Sequence, residues 1–159
     1  MKMKILCICH ANICRSLMAQ EFLKKLLPSV EVFSRGFYAN PAYEVPQKVR
    51  QALSARQIEF HGHISTQLTP ADLAEADLIF CMESAHEERL LDRYPQYTDK
   101  IWLLTDFAFD KPHELPDPVS LEGRLFNKQA GQIYQACTAA ARRITQDFLT
   151  QKNAPKETL

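Results

Sequence analysis

Residues 9–15 read Cys-His-Ala-Asn-Ile-Cys-Arg, between an apolar strand-like run, Ile5–Ile8, and an amphipathic helical pattern that starts near Ser16. A strand that feeds a short loop and then a helix gathers unpaired backbone N–H groups and the positive helix end about one point, which is how a phosphate dianion is held. Cys9 and Arg15 bracket that point. Such a field favours thiolate over thiol, and a guanidinium six residues on can grip two phosphate oxygens in a fork. The chemistry implied is phosphoryl transfer to sulfur. The spacing of Cys and Arg alone matches many unrelated chains, so the flanking strand and helix carry the weight.

The same alternation continues along the chain. Val30–Phe33, Leu78–Phe80 and Ile101–Leu104 are short runs rich in branched or aromatic residues, and helical patterns separate them. Met18, Phe22 and Leu26 recur four apart, as do Leu23 and Leu27, and Val45, Val49 and Ala52 or Leu53 repeat the spacing. Thr69-Pro70 with Asp72 reads as a helix N-cap, and Ser84 with Glu87 has the spacing of a second capping box. Ile133, Cys137, Ala140, Ile144 and Phe148 form one stripe of a closing helix from about Gly123 to Thr150. Strands alternating with helices predict an α/β fold: a single-domain three-layer sandwich, with a four-stranded parallel sheet covered by helices on both faces. The domain is expected over residues 1–150, with 151–159 a frayed polar tail.

Charge narrows the partners. Lys and Arg number 19 and Asp and Glu number 19, so no net basic field points to nucleic acid or an anionic membrane. The apolar run at 5–9 is too short for a signal or a membrane span, and the cytoplasm is the expected location. Five cysteines, an odd number with no Cys-x-x-Cys pair, read as reduced thiols, with Cys7 and Cys137 in the core. The scattered histidines suggest no metal site, and no cofactor is expected. His61, His86 and His113 are expected at the surface, and Lys24-Lys25 and Arg142-Arg143 on solvated helix faces.

In a parallel sheet, ligands sit at the carboxyl ends of strands, where Cys9 falls. The one long segment without periodicity, Thr105–Leu121, carries Pro112, Pro116 and Pro118 around Asp117. Ordered loops of that length are often functional, which makes Asp117 the acid to look for. Displacing an alcohol from phosphate with a thiolate needs an in-line nucleophile, charge stabilisation and a proton for the departing oxygen. Cys9, the loop amides of His10, Ala11, Asn12, Ile13 and Cys14 with Arg15, and Asp117 supply these.

The loop Cys9–Ser16 together with Asp117-Pro118 resembles the low-molecular-weight protein tyrosine phosphatase family, over essentially the whole chain. The likeness extends to Ser34-Arg35-Gly36, to His63 with Gln67-Leu68-Thr69, and to Asp77–Met82. It implies a metal-free phosphomonoesterase acting on phosphotyrosine proteins and releasing inorganic phosphate, in which Cys9 attacks, Arg15 binds phosphate and Asp117 is acid, then base. It further implies a supporting network in which Asn12 fixes the loop, Ser16 donates to the Cys9 thiolate, and Ser34 and His63 assist. Cys14, five residues after the nucleophile, would form a reversible protective disulfide with oxidised Cys9.

The chain departs from the family at Ala11, where glycine is usual, and a positive φ there would strain alanine by about 1–2 kcal/mol. Leu17 replaces a proline, and Val119-Ser120 replace an aromatic pair, which leaves the substrate wall open. Phe37, Tyr38 and Tyr43 are either that wall or ordinary packing. Ile13 leans toward phosphotyrosine, since relatives acting on phosphoarginine resemble residues 34–46 but carry threonine at this loop position. Two other readings stand beside it. A thiol-coupled arsenate reductase would use Cys81 as a relay, yet residues 82–136 hold no second cysteine. A non-catalytic phosphate-binding module would need neither Cys9 nor Asp117.

Overall fold

In the computed structural model, which describes residues 2–150, strand β1 (Lys4–Cys9) lies inside a parallel sheet and is buried from Ile5 onward. Its side chains alternate between two cores. Ile5, Cys7 and Cys9 face one cluster, and Leu6 and Ile8 the other, which is why the run is apolar throughout instead of alternating. The other strands are β2 (Glu31–Gly36), β3 (Leu78–Cys81) and β4 (Ile101–Leu103), in the spatial order β2-β1-β3-β4. Every pairing is parallel, so the four-stranded sheet matches the sequence reading.

Helices α1 (Arg15–Leu26), α2 (Gln47–Ser54), α5 (Leu104–Phe109) and α6 (Gly123–Ile144) feed the first core. Helices α3 (Pro70–Glu75) and α4 (Ser84–Arg93) cover the opposite face, with Leu73 and Leu90 as their buried anchors. The result is the expected three-layer sandwich. Phe22 of α1 meets Tyr134 of α6 edge-on at 5.1 Å, and the Arg56 guanidinium lies over both rings. Among the described residues no helix is long and apolar enough to cross a membrane. The expected frayed tail, 151–159, lies outside the described residues.

Several local expectations are corrected. The capping box at Thr69–Asp72 is present, but Ser84 caps nothing: it is the first residue of α4, and its N–H and hydroxyl donate to Glu114 from the distant loop. Glu87 accepts the Leu103 N–H instead, at 2.6 Å. The Thr105–Leu121 segment is not all loop, since α5 occupies residues up to Phe109 and ends at Asp110 with a left-handed φ of 56°. The closing helix widens to a π turn at Thr145–Leu149, which rotates Phe148 off the buried stripe and leaves it 41% exposed. Arg143 is not simply solvated: its guanidinium covers Phe107 at 4.3 Å and Trp102 at 5.1 Å and donates to the Phe107 carbonyl.

Candidate active site

The sheet order places β2 on one side of β1 and β3 on the other, so the chain reverses its direction of winding at the carboxyl end of β1. That end is where an α/β sheet opens a crevice, and Cys9 is its last residue. The loop that follows is held from outside by its carbonyls. Phe37 N–H donates to the Cys9 carbonyl and Tyr38 N–H to that of His10, the Ser65 hydroxyl to that of Ala11, and Met18 N–H to that of Cys14. His63 Nε2 bonds the Asn12 carbonyl at 2.7 Å. Because the C=O and N–H of one peptide unit point opposite ways, tying the carbonyls outward turns the amides toward the concave side.

Asn12 is the keystone, and it carries the strain that sequence assigned to Ala11. It is fully buried with φ 58°, whereas Ala11 has no positive φ. Asparagine tolerates that left-handed region better than alanine does. Its Nδ2 donates to Ser16 Oγ (2.8 Å) and Ser34 Oγ (2.9 Å), and its Oδ1 accepts from Thr66 N–H (2.9 Å). Ser34 in turn donates to Gln20 Oε1 at 2.7 Å. With Asn12 donating to Ser16, the Ser16 hydroxyl hydrogen is free to point at Cys9 Sγ, 3.0 Å away. Burial holds the His63 imidazole below its ordinary pKa, which favours the neutral ring whose Nε2–H donates to Asn12. Gly36 is needed beside this loop, since a Cβ there would stand 2.7 Å from the His10 carbonyl oxygen.

Arg15, the first residue of α1, is 1% exposed. It donates to Glu83 and to the Leu115 carbonyl (3.0 Å), and its Nη2 lies 3.6 Å from Asp117 Oδ2. For Glu83 burial alone would raise the carboxyl pKa, but the hydrogen bond and charge of Arg15 outweigh it and hold the group below the usual range. Asp117 stays exposed at the rim, with Oδ1 accepting the Val119 N–H at 3.0 Å. The structure thus brings Cys9, Arg15, Asp117, Asn12, Ser16, Ser34 and His63 together, with Ile13 and Cys14 on the same loop.

The aromatic candidates divide. Tyr38 packs at a 38° tilt against the exposed His10 ring, centroids 4.9 Å apart, and sits at the mouth, 55% exposed. Phe37 instead turns to the second core, between His86 (4.7 Å) and the Arg89 guanidinium (4.9 Å). Tyr43 is exposed, and its N–H donates to the Asn40 carbonyl. His86, expected at the surface, is half-buried against Phe37 and His10, and burial lowers its pKa. Cys14 is buried, and burial, together with the nearby Cys9 and Asp117, pushes its thiol up to about 12. Sequence reasoning missed Glu83, Leu115, Ser65 and Thr66. Glu83 alone had a signal, its place just past the end of β3 beside Cys9's strand.

Comparison with known proteins agrees with this geometry. The family model described as low molecular weight phosphotyrosine protein phosphatase matches residues 4–151. A probable low molecular weight protein-tyrosine-phosphatase, EpsP, from Ralstonia nicotianae is 30% identical over 88% of this chain and 94% of its own length. The low molecular weight protein-tyrosine-phosphatase Wzb of Salmonella typhi is 29% identical over 96% of this chain and 98% of its own. The solved structure of the YwlE arginine phosphatase from Geobacillus stearothermophilus superposes with a TM-score of 0.86 at 28% identity, covering 93% of this chain and 96% of that one. The chain belongs to the low molecular weight phosphotyrosine protein phosphatase family, a family of phosphatases.

Proposed function

We propose that the protein hydrolyses phosphotyrosine in protein substrates through a phosphocysteine intermediate on Cys9. The observation that carries the reading is the convergence of a Cys9 thiol, a buried Arg15 and an exposed Asp117 on one amide-lined loop. The substrate phosphate seats on the loop amides of residues 10–15 and on Arg15, which bind its equatorial oxygens. Cys9 sulfur attacks phosphorus; the bond to the tyrosine oxygen breaks, and Asp117 gives that oxygen its proton. Water then attacks the phosphocysteine, Asp117 takes a proton from it, and inorganic phosphate leaves with the Cys9 thiolate regenerated. Ser16 steadies that thiolate through its hydroxyl, and Glu83 keeps Arg15 in place. Tyr38, tilted against His10 at the mouth, offers an aromatic face to the substrate ring, with Ile13 on the loop beneath.

A mechanism that needs a free Cys9 thiol suits a reducing compartment, so we assign the cytoplasm. Reversible closure of a Cys9–Cys14 disulfide after oxidation belongs to the same reading, supported by the two buried thiols on one loop. The second reading is a phosphoarginine phosphatase, favoured by the close superposition on the YwlE arginine phosphatase. Arsenate reduction is disfavoured, because Cys81 faces the core on the far side of the sheet from Cys9.

The test is turnover of phosphotyrosine, phosphoserine and phosphoarginine peptides with EDTA present, by wild type, Cys9→Ser and Asp117→Ala. We expect phosphotyrosine turnover that Cys9→Ser abolishes and Asp117→Ala cuts about 10²- to 10⁴-fold. Dominant phosphoarginine turnover would replace the substrate and keep the chemistry, and full activity in Cys9→Ser would overturn the mechanism.

A further inference from the structure

Asp117 has few contacts of its own. Its carboxyl is exposed, bonded to the Val119 N–H, with Arg15 3.6 Å away, so its position depends on the backbone that carries it. Upstream that backbone is fixed by Leu115, whose N–H donates to the Met82 carbonyl and whose own carbonyl accepts from Arg15. Downstream the anchor is a single side chain from another element. Lys48, the second residue of α2, donates to the carbonyls of Val119 and Leu121 (2.7 Å) and to Glu122 Oε1 (3.0 Å). Its side chain is only 15% exposed, and its ammonium lies 5.4 Å from the centre of the Phe126 ring.

An ammonium has three N–H donors, and here three acceptors from residues 119–122 take them all. Between the anchors the chain makes two linked turns, Asp117 Oδ1 accepting from Val119 and Leu121 N–H donating to the Pro118 carbonyl. Asp117 stands two residues from Leu115 and two from Val119. Lys48 therefore closes the frame in which the carboxyl hangs.

We propose that Lys48 is a positioning residue for proton transfer: by holding Val119 and Leu121 it sets where the Asp117 carboxyl meets the departing oxygen. The proposal rests on the reading of Asp117 as the acid. The step is the one proposed above, a proton passing from Asp117 to the leaving oxygen as the phosphorus–oxygen bond breaks, and Lys48 touches neither. A lysine that merely stapled α2 to the loop would affect stability and every substrate equally. A positioning lysine acts only where the proton matters, because a displacement near 1 Å suffices to lose much of a catalytic effect.

The experiment compares kcat/KM for phenyl phosphate, whose phenoxide leaves poorly without a proton, with p-nitrophenyl phosphate, which leaves with little help. Lys48→Met, Lys48→Arg and Asp117→Asn are measured beside the wild type, with thermal unfolding of each as a check on folding. Lys48→Met is expected to lower kcat/KM for phenyl phosphate about tenfold more than for p-nitrophenyl phosphate. Lys48→Arg should restore most of the loss, and Asp117→Asn should show the same selectivity more strongly. Equal losses on both substrates, or none, in a folded Lys48→Met would overturn the role of Lys48 while selectivity in Asp117→Asn upheld the acid. Absence of selectivity in Asp117→Asn would sink the acid assignment, and this proposal with it.

Discussion

Asn12 shows how much one residue carries when a loop must hold an anion. Its left-handed φ turns the chain, and its amide ties the loop to α1, β2 and the segment at Thr66. Replacing it separates the two duties. Asn12→Gly keeps the backbone freedom and loses the bonds, while Asn12→Ala loses both, so we expect weaker phosphate competition in each and the larger loss in alanine. Equal inhibition constants for inorganic phosphate in wild type and Asn12→Gly would show that the bonds are dispensable. His63 adds a pH dependence. Its folded pKa is lowered by burial, so the stability from the neutral ring is present above the unfolded histidine value, about 6.5, and is lost as pH falls through the folded value. Melting curves of wild type and His63→Gln should therefore converge in mild acid and separate above it. Cys14, with its thiol pushed up to about 12, stays protonated near neutrality. After peroxide treatment, closure of the Cys9–Cys14 disulfide should speed up as pH rises and more thiolate forms, and Cys14→Ser should not recover on adding thiol. Stopped-flow thiol counting across pH measures the first, and activity after dithiothreitol the second.

At the scale of elements, the site is where β1, β2, β3 and the loop before α6 arrive together. Gly36 at the end of β2 lets Phe37 and Tyr38 pair with Cys9 and His10, because no side chain stands against the His10 carbonyl. Gly36→Ala should cost about 1–3 kcal/mol of stability through overpacking and should also raise KM, since the strain falls on the loop itself. Denaturant melts beside steady-state kinetics would detect both, and an unchanged KM would place the strain elsewhere. The strands, α1 and α3 were legible because hydrophobic period and local caps decide them: Thr69 and Asp72 lie three residues apart and need no partner from far away. Ser84 misled for the opposite reason, since Glu114, thirty residues downstream, takes the place of a local cap. Helix α5 was missed because a six-residue helix offers too few turns to show a period.

For the molecule as a whole, stability and ligand binding are linked through the loop after β1, whose Cys9 and Cys14 are buried in the first core. Inorganic phosphate at about 100 times its dissociation constant should stabilise the fold by about 2.7 kcal/mol, read as a rise in melting temperature. The rise should vanish in Arg15→Met, and a persistent rise there would place the anion elsewhere. Truncating Phe22 of α1, buried against Tyr134 and Arg56, should cost about 3–5 kcal/mol in chemical denaturation with kcat little changed in the protein that stays folded. Local order by itself determined the α/β sandwich and the core of the site: one strand, one loop and one helix put Cys9, Asn12, Arg15 and Ser16 within a single stretch of chain, where short-range geometry leaves little choice. The tertiary structure decided the rest. Glu83 reaches Arg15 across 68 residues and Leu115 across 100, Lys48 grips Val119 across 71, and Tyr38 rather than Phe37 or Tyr43 takes the mouth. Such contacts depend on how the loops fold back over the sheet, and no periodicity in the sequence records that.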